Sequence, residues 1–406
     1  MSARTQSNFT PPKSFPRAFG RAGLASLVLA ASLALGAGPA RIAQAAEDAA
    51  PSAKPIVLRT MGSLFFGGTV TTLDNGQTFH GDHGYAQYYI PEKARQLPVI
   101  MWHGISQSGK TYESTPDGRE GYQAILTRED WPLYIIDQPR RGRAGRTLTP
   151  PGKAASPTAM YESAAWDAFR MGLWIPPAGP KAFEPLAQPL DGSSVNQFFR
   201  QQTPDTGAEM SREELARTMG DLLERTGPAI LMTHSRSGQY GWATVLEKPD
   251  LVKAVVAYEP AHFVFPEGEV PPDIPRGELH VGAMDTPEIP LEEFAKLTRI
   301  PILIVFGDNI AKAPSNVYNS EVWRAASLRG RQFVEAVNRH GGDAQIVFLP
   351  ELGMKGNTHI PFADRNNLEV AAQLTGWLHE KGLDGRDAPH RGPKTIPMAL
   401  TIPLQR

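Results

Sequence analysis

Cysteine is absent from all 406 residues. Its absence excludes disulfides, thiolate zinc sites and a cysteine nucleophile. Excess charge of one sign is also missing, with 41 basic residues against 42 acidic ones and a formal net charge of −1. The one dense basic cluster, PRRGRAGR at 139–146, is too short to be an electrostatic footprint for DNA, and no nucleic-acid partner is expected. No apolar run reaches membrane-spanning length; the best, GLASLVLAASLALGAG, is short for a spanning helix. There is no twin-arginine pair, no internal repeat and no zinc signature. His80-Gly81-Asp82-His83 imitates a metal site but offers too few ligands in a hairpin loop, so neither metal nor cofactor is expected.

What is present begins with an address. Arg4, Lys13, Arg17 and Arg21 precede the apolar run, which ends at the small residues Ala43-Gln44-Ala45-Ala46. A basic head, a short apolar centre and an A-x-A site predict a secretory signal peptide over 1–45, and hence a periplasmic or secreted protein. Removing it takes away those four basic residues and Arg41 and no acidic one, so the charge falls by five, from −1 to −6. A mildly acidic remainder argues against anionic membranes as partners after cleavage. Without bridges in an oxidising compartment, residues 46–406 must be held by a large hydrophobic core.

The pattern along the chain changes once. IVLRTMGSLFFGGTVTTL and FHGDHGYAQYYIP alternate around the turn DNGQ, which predicts an antiparallel hairpin. LPVIMWHG, WPLYIID, PAILMTH, VKAVVAY, IPILIVFGD and AQIVFLP follow as near-continuous apolar runs. Such runs, separated by helix-like segments, predict strands of a parallel sheet buried on both faces. REELARTMGDLLERTG, SGQYGWATVLEK, SLRGRQFVEAVNRHGG and LEVAAQLTGWLHEKG are the predicted helices. The fold class is α/β: the α/β-hydrolase plan, a mostly parallel sheet of about eight strands flanked by helices, with catalytic groups at strand C-termini. An insertion at about 147–205, carrying Tyr161, Trp166, Phe169, Trp174, Phe198 and Phe199, is expected to form a cap, because loops of this length are functional or disordered and this one is too aromatic for disorder.

In ILMTHSRSGQYGW (230–242) an apolar strand runs into a turn of small residues containing two serines. A nucleophile elbow needs small residues two before and two after its centre. Centred on Ser235, the flanks are Thr233 and Ser237; centred on Ser237, they include the bulky Gln239. Ser235 is therefore the predicted nucleophile. Its base should lie in a loop after the last strand. His359 does so, with Gly353, Gly356 and Asn357 to bend the loop, whereas His340 and His379 fall in or near helices and His234 is expected to pack. Two acids, Glu259 after VKAVVAY and Asp308 after IPILIVFG, occupy suitable strand ends, and the spacing does not separate them. The oxyanion-hole N–H groups are expected from Arg236 and from Ile105 or Ser106 after the turn His103-Gly104. Trp102, His103 and Tyr112 are expected around the substrate pocket, and Arg140, Arg141 and Arg143 in structural ion pairs.

THSRSG, AYEP, VFGDNI and GNTHIPFADRNNLEVA, with HGISQSGKTYESTPDGREGY and YIIDQPRRGR, resemble a small group of secreted bacterial esterases within the α/β-hydrolases. The likeness covers most of residues 60–380, with the six blocks in the same order. It implies Ser235 as nucleophile, His359 as base and Glu259, rather than Asp308, as the orienting acid, and it makes a homodimer plausible. Members of that group carry adjacent cysteines after the HG pair; Ile105-Ser106 stands there here, so the hole must be rigidified differently. The expected activity is cleavage of a small-molecule carboxylic ester through an acyl-enzyme. A lactone or an amide would suit the same triad, and the rival from another class is a non-catalytic periplasmic binding protein of hydrolase fold.

Overall fold

The computed structural model describes residues 54–149, 157–275 and 286–396. The predicted leader and residues 150–156 of the predicted cap lie outside them. Eight strands build the main sheet: β1 (Leu58–Thr72), β2 (Thr78–Pro91), β3 (Val99–Trp102), β4 (Leu133–Asp137), β5 (Ala229–His234), β6 (Val252–Tyr258), β7 (Pro301–Phe306) and β8 (Asp343–Phe348). Their spatial order is β1-β2-β4-β3-β5-β6-β7-β8. β1 pairs antiparallel with β2 and β2 with β4, while every pairing from β4 to β8 is parallel.

The hairpin forms where D-N-G supplies the turn: Gly76 takes φ 77° and Leu73 N–H donates to Gln77 O at 2.8 Å. In the parallel strands the period-two alternation divides the apolar residues between two cores. Ile302, Ile304 and Phe306 of β7 face one; Leu303 and Val305 face the other. The first core is covered by α4 (Arg212–Thr226), α5 (Ser237–Glu247), α6 (Leu291–Leu297) and α7 (Tyr318–Arg339). The second is covered by α1 (Tyr122–Arg128), α2 (Glu162–Ala168) and α8 (Asn367–Glu380). Because both faces are covered, the strands carry few polar residues and read as continuous apolar runs. Helix α4 has a capping box, Ser211 with Glu214, and stops at Gly227 with φ 74°. Helix α7 begins at Tyr318, ahead of the predicted Ser327, and β8 ends at Phe348 because Leu349–Leu352 turn as a short 3₁₀ helix around Pro350.

The insertion between β4 and α4 packs its apolar residues into the second core. α2, a hairpin of Gly172–Ile175 with Gly179–Ala182, and α3 (Gly192–Arg200) follow one another. Trp166, Phe169, Met171 and Phe198 are buried in the same core as β3–β7, whereas Tyr161 stands 85% exposed. Part of the insertion is thus continuous with the body of the domain. No described helix is long and apolar enough to cross a membrane.

Candidate functional site

The two serines of the β5–α5 turn have different surroundings. Ser235 takes φ 53°, a left-handed conformation that costs a residue with a Cβ about 1–2 kcal/mol, and its N–H donates to Tyr258 O at 2.8 Å. The Ser237 hydroxyl is consumed under the turn: it accepts the His234 N–H at 2.8 Å and lies 2.9 Å from both Trp102 O and His234 O, either of which can take its proton. Ser237 therefore braces the elbow that holds Ser235 at the sheet rim.

The turn after β3 meets that elbow through Gly104. A Cβ there would lie 2.8 Å from His234 Nδ1 and 2.9 Å from Ser235 Cβ, so only glycine permits the approach. His103 fixes the turn from beneath, with Nδ1 2.9 Å from Gly104 O and Nε2 accepting the Gln138 N–H at 3.1 Å. Burial, reinforced by Arg141, lowers its pKa to about 4, so the ring is neutral and Nδ1 carries the proton. Ile105 and Arg236 line one open pocket, together with Gln138, Asp205, Glu209 and Tyr240. Ser106, at φ 52°, is tied to the insertion by the Thr203 N–H, which donates to Ser106 O at 2.9 Å.

His359 and Glu259 converge from separate elements. His359 sits in the loop after β8 and Glu259 at the C-terminal end of β6; His359 Nδ1 is 3.3 Å from Glu259 Oε2, and both side chains are almost wholly buried. Burial would raise the Glu259 pKa, but the Arg170 guanidinium and hydrogen bonds from His359 and Arg170 outweigh it and bring it to about 2. Burial lowers the His359 pKa, only partly opposed by Glu259. A neutral imidazole is thus oriented by an ionised carboxylate, a combination suited to removing a hydroxyl proton. Asp308 points elsewhere: its carboxylate accepts the N–H groups of Asn309 and Gly356, each at 2.7 Å, and ties the strand-seven loop to the histidine loop.

Sequence reasoning missed Arg170. It lies just past α2 in the insertion, at φ 53°, with its side chain 2% exposed, and directs Nη1 and Nη2 to the two Glu259 oxygens at 2.6 Å each. Trp323 of α7 was missed too; its ring centroid is 4.0 Å from that of His359. So was Asp364, which accepts Thr358 N–H, Thr358 Oγ1–H and an Asn357 amide proton, and whose pKa burial raises to about 7 against those bonds. Arg170 and Trp323 have no partner close in sequence that could have revealed them, whereas Asp364 lies only six and seven residues from Thr358 and Asn357.

Trp102 and Tyr112, expected around the substrate pocket, are buried in the core. Trp102 packs on Tyr240 with ring centroids 5.4 Å apart, and Tyr112 packs on Phe362 and donates its hydroxyl proton to Trp102 O. Their apolar bulk is used between sheet and helices, and His103 is fully occupied by backbone groups. As expected, the three arginines form ion pairs: Arg140 with Asp82, Arg141 with Asp205 and Arg143 with Asp137.

No protein-family model matches the chain. It is 28% identical over 328 residues to a probable secreted lipase, phiG, of Fungal sp. (strain ATCC 74256), covering 73% of this chain and 86% of that protein. A solved structure described as that of a novel bacterial esterase superposes with a TM-score of 0.66 at 29% identity, over 81% of this chain and 98% of the esterase. The chain has the α/β-hydrolase fold and is related to esterases and lipases.

Proposed function

We propose that the chain is an exported serine hydrolase that cleaves a carboxylic ester through an acyl-enzyme. The observation that carries this reading is the approach of His359 Nδ1 to Glu259 Oε2 at 3.3 Å, beside a strand-to-helix turn that holds Ser235 at φ 53°. His359 Nε2 takes the Ser235 hydroxyl proton as Oγ attacks the ester carbonyl, then returns it to the leaving alkoxide. Water repeats the sequence on the acyl-enzyme and frees the acid. Glu259 fixes the tautomer with the proton on Nδ1 and stabilises the imidazolium.

The developing oxyanion is received by the N–H of Arg236 and one from Ile105 or Ser106; each such donor contributes on the order of 3 kcal/mol of transition-state stabilisation. With Ser235 4% and His359 2% exposed, the insertion acts as a cap that excludes water from the reaction, in keeping with its contacts to both the histidine loop and residue 106. Export is supported by the basic-apolar-small pattern of residues 1–45 and by the likeness to a probable secreted lipase.

A lactone, being an internal ester, passes through the same steps. Turnover of p-nitrophenyl esters by wild type and Ser235→Ala tests the reading: the variant should lose about 10⁴-fold or more in kcat. Wild-type turnover by Ser235→Ala sinks it, and a wild type that binds esters without turning them over favours a binding protein.

A further inference from the structure

The insertion contributes more than a cover. We infer that Arg170 is a positioning residue of the catalytic machinery, clamping Glu259 so that its remaining carboxylate edge holds His359 in the reactive orientation. This inference rests on the esterase reading above.

The geometry is specific. Arg170 forms a fork-to-fork pair with Glu259, two N–H···O bonds of 2.6 Å, and its Nε donates to Asp308 O at 2.9 Å. One guanidinium thereby joins the ends of β6 and β7. The residue before it completes the link: Phe169 O accepts the His359 N–H at 2.9 Å, and the Phe169 ring stands edge-on to the imidazole at 5.5 Å. Two consecutive insertion residues thus hold both the acid and the base. Glu259 Oε1 also accepts the Gly307 N–H, which leaves Oε2 shared between Arg170 and His359.

A planar fork selects one carboxylate rotation, which a point charge such as lysine does not. Without the fork, Glu259 could rotate about its terminal torsion and His359 would lose its fixed tautomer and tilt. A salt bridge that only strengthened the fold could have been made anywhere on the insertion; this one is made to the carboxylate that faces the imidazole. The ionisable groups around His359 are Glu259, Arg170 and His234, with Asp364 behind Thr358.

The test uses the full-length protein with Arg170→Lys, Arg170→Gln and Ser235→Ala. Active serines are counted by stoichiometric labelling with a fluorophosphonate, and rates are expressed per labelled site. Arg170→Gln is expected to lower kcat per site at least about tenfold with KM changed less than about twofold, because the clamp acts on the chemical step. It should also move the acid limb of the pH profile upward, since the cation that opposes imidazolium formation is gone. Arg170→Lys keeps the charge, so it should hold the acid limb in place while still losing kcat. Wild-type kcat per site and an unmoved acid limb in Arg170→Gln would overturn the inference and reduce Arg170 to a stability element. If that variant does not fold, Arg170→Lys decides alone: wild-type kcat there overturns the fork argument. Failure of the esterase reading is distinct, because Ser235→Ala would then turn over normally and wild type would not label.

Discussion

His234 Nε2 lies 2.7 Å from the main-chain carbonyl of His359, and the two imidazole rings are 4.7 Å apart, centroid to centroid. The residue preceding the proposed nucleophile therefore holds the backbone of the proposed base. Burial first, and then His359, keep the His234 pKa well below the ordinary histidine value. The ring stays neutral, with Nε2–H as the donor. His234→Phe keeps a ring of similar size and deletes that donor. Leaving a buried carbonyl unpaired should cost about 1–3 kcal/mol in urea unfolding and lower turnover as the loop drifts. Unchanged stability and turnover would make the contact incidental.

The two serines should separate cleanly. Ser237→Ala strands the His234 N–H under the elbow and should cost about 1–3 kcal/mol of stability while retaining measurable turnover. Ser235→Ala should do the opposite, leaving urea stability near wild type and removing turnover. Measuring both properties in both variants is decisive; a Ser237→Ala protein as inert as Ser235→Ala would dissolve the distinction.

The pH dependence follows from signs. Activity needs His359 neutral, and burial shifts its pKa down. The rising limb of kcat/KM should therefore be centred below the unperturbed value of about 6.5, with a plateau above it. A limb centred well above neutrality would contradict the burial argument.

Glu259→Gln should cripple turnover, by at least about 100-fold, while Asp308→Asn should cost less, acting through the 308–356 loop contact. The same carboxylate governs acid stability. Its pKa in the fold is about 2, against an ordinary 4.5. Its contribution is complete above the unfolded value and is lost as pH falls through the folded one. Urea midpoints of wild type should drop between roughly pH 5 and 2, and Arg170→Gln, by removing the cation, should shrink that dependence. The reverse ranking of the two acid variants would move the acid to Asp308.

Gly104→Ala places a methyl against His234 Nδ1 and Ser235 Cβ, both under 3 Å away. Neither neighbour can yield without moving the elbow, so the variant should lose about 1–3 kcal/mol of stability and most of its turnover together. Soluble, stable and fully active Gly104→Ala would show that the turn has slack.

Much of the architecture was legible because burial on both faces writes itself into composition. The runs VKAVVAY and IPILIVF coincide with β6 and β7, since a parallel strand between helix layers has little room for polar residues. A tight turn at Ser235 was legible from the small residues flanking it between a strand and a helix, and the resemblance ranked Glu259, whose carboxylate lies 3.3 Å from His359 Nδ1, over Asp308. The packing of Trp102 on Tyr240 and of Tyr112 on Phe362 was not legible, because a large aromatic at a strand end fits equally well in a pocket or under a helix. Arg170 was invisible for a different reason. Its partner is 89 residues away, and an arginine in an irregular segment carries no periodic signal of what it faces.

Ser106, Arg170, Ser235 and Glu259 all adopt φ between 52° and 54°, a region where glycine alone is comfortable. Each keeps its side chain in spite of that discomfort. Selection for heat resistance alone would consequently be drawn toward glycine at Ser235 and yield a sturdier, silent protein, whereas glycine at Arg170 or Glu259 would strand the other buried charge. A directed-evolution campaign on this scaffold would have to screen for turnover at every round, since thermal tolerance gained at this rim comes from dismantling it.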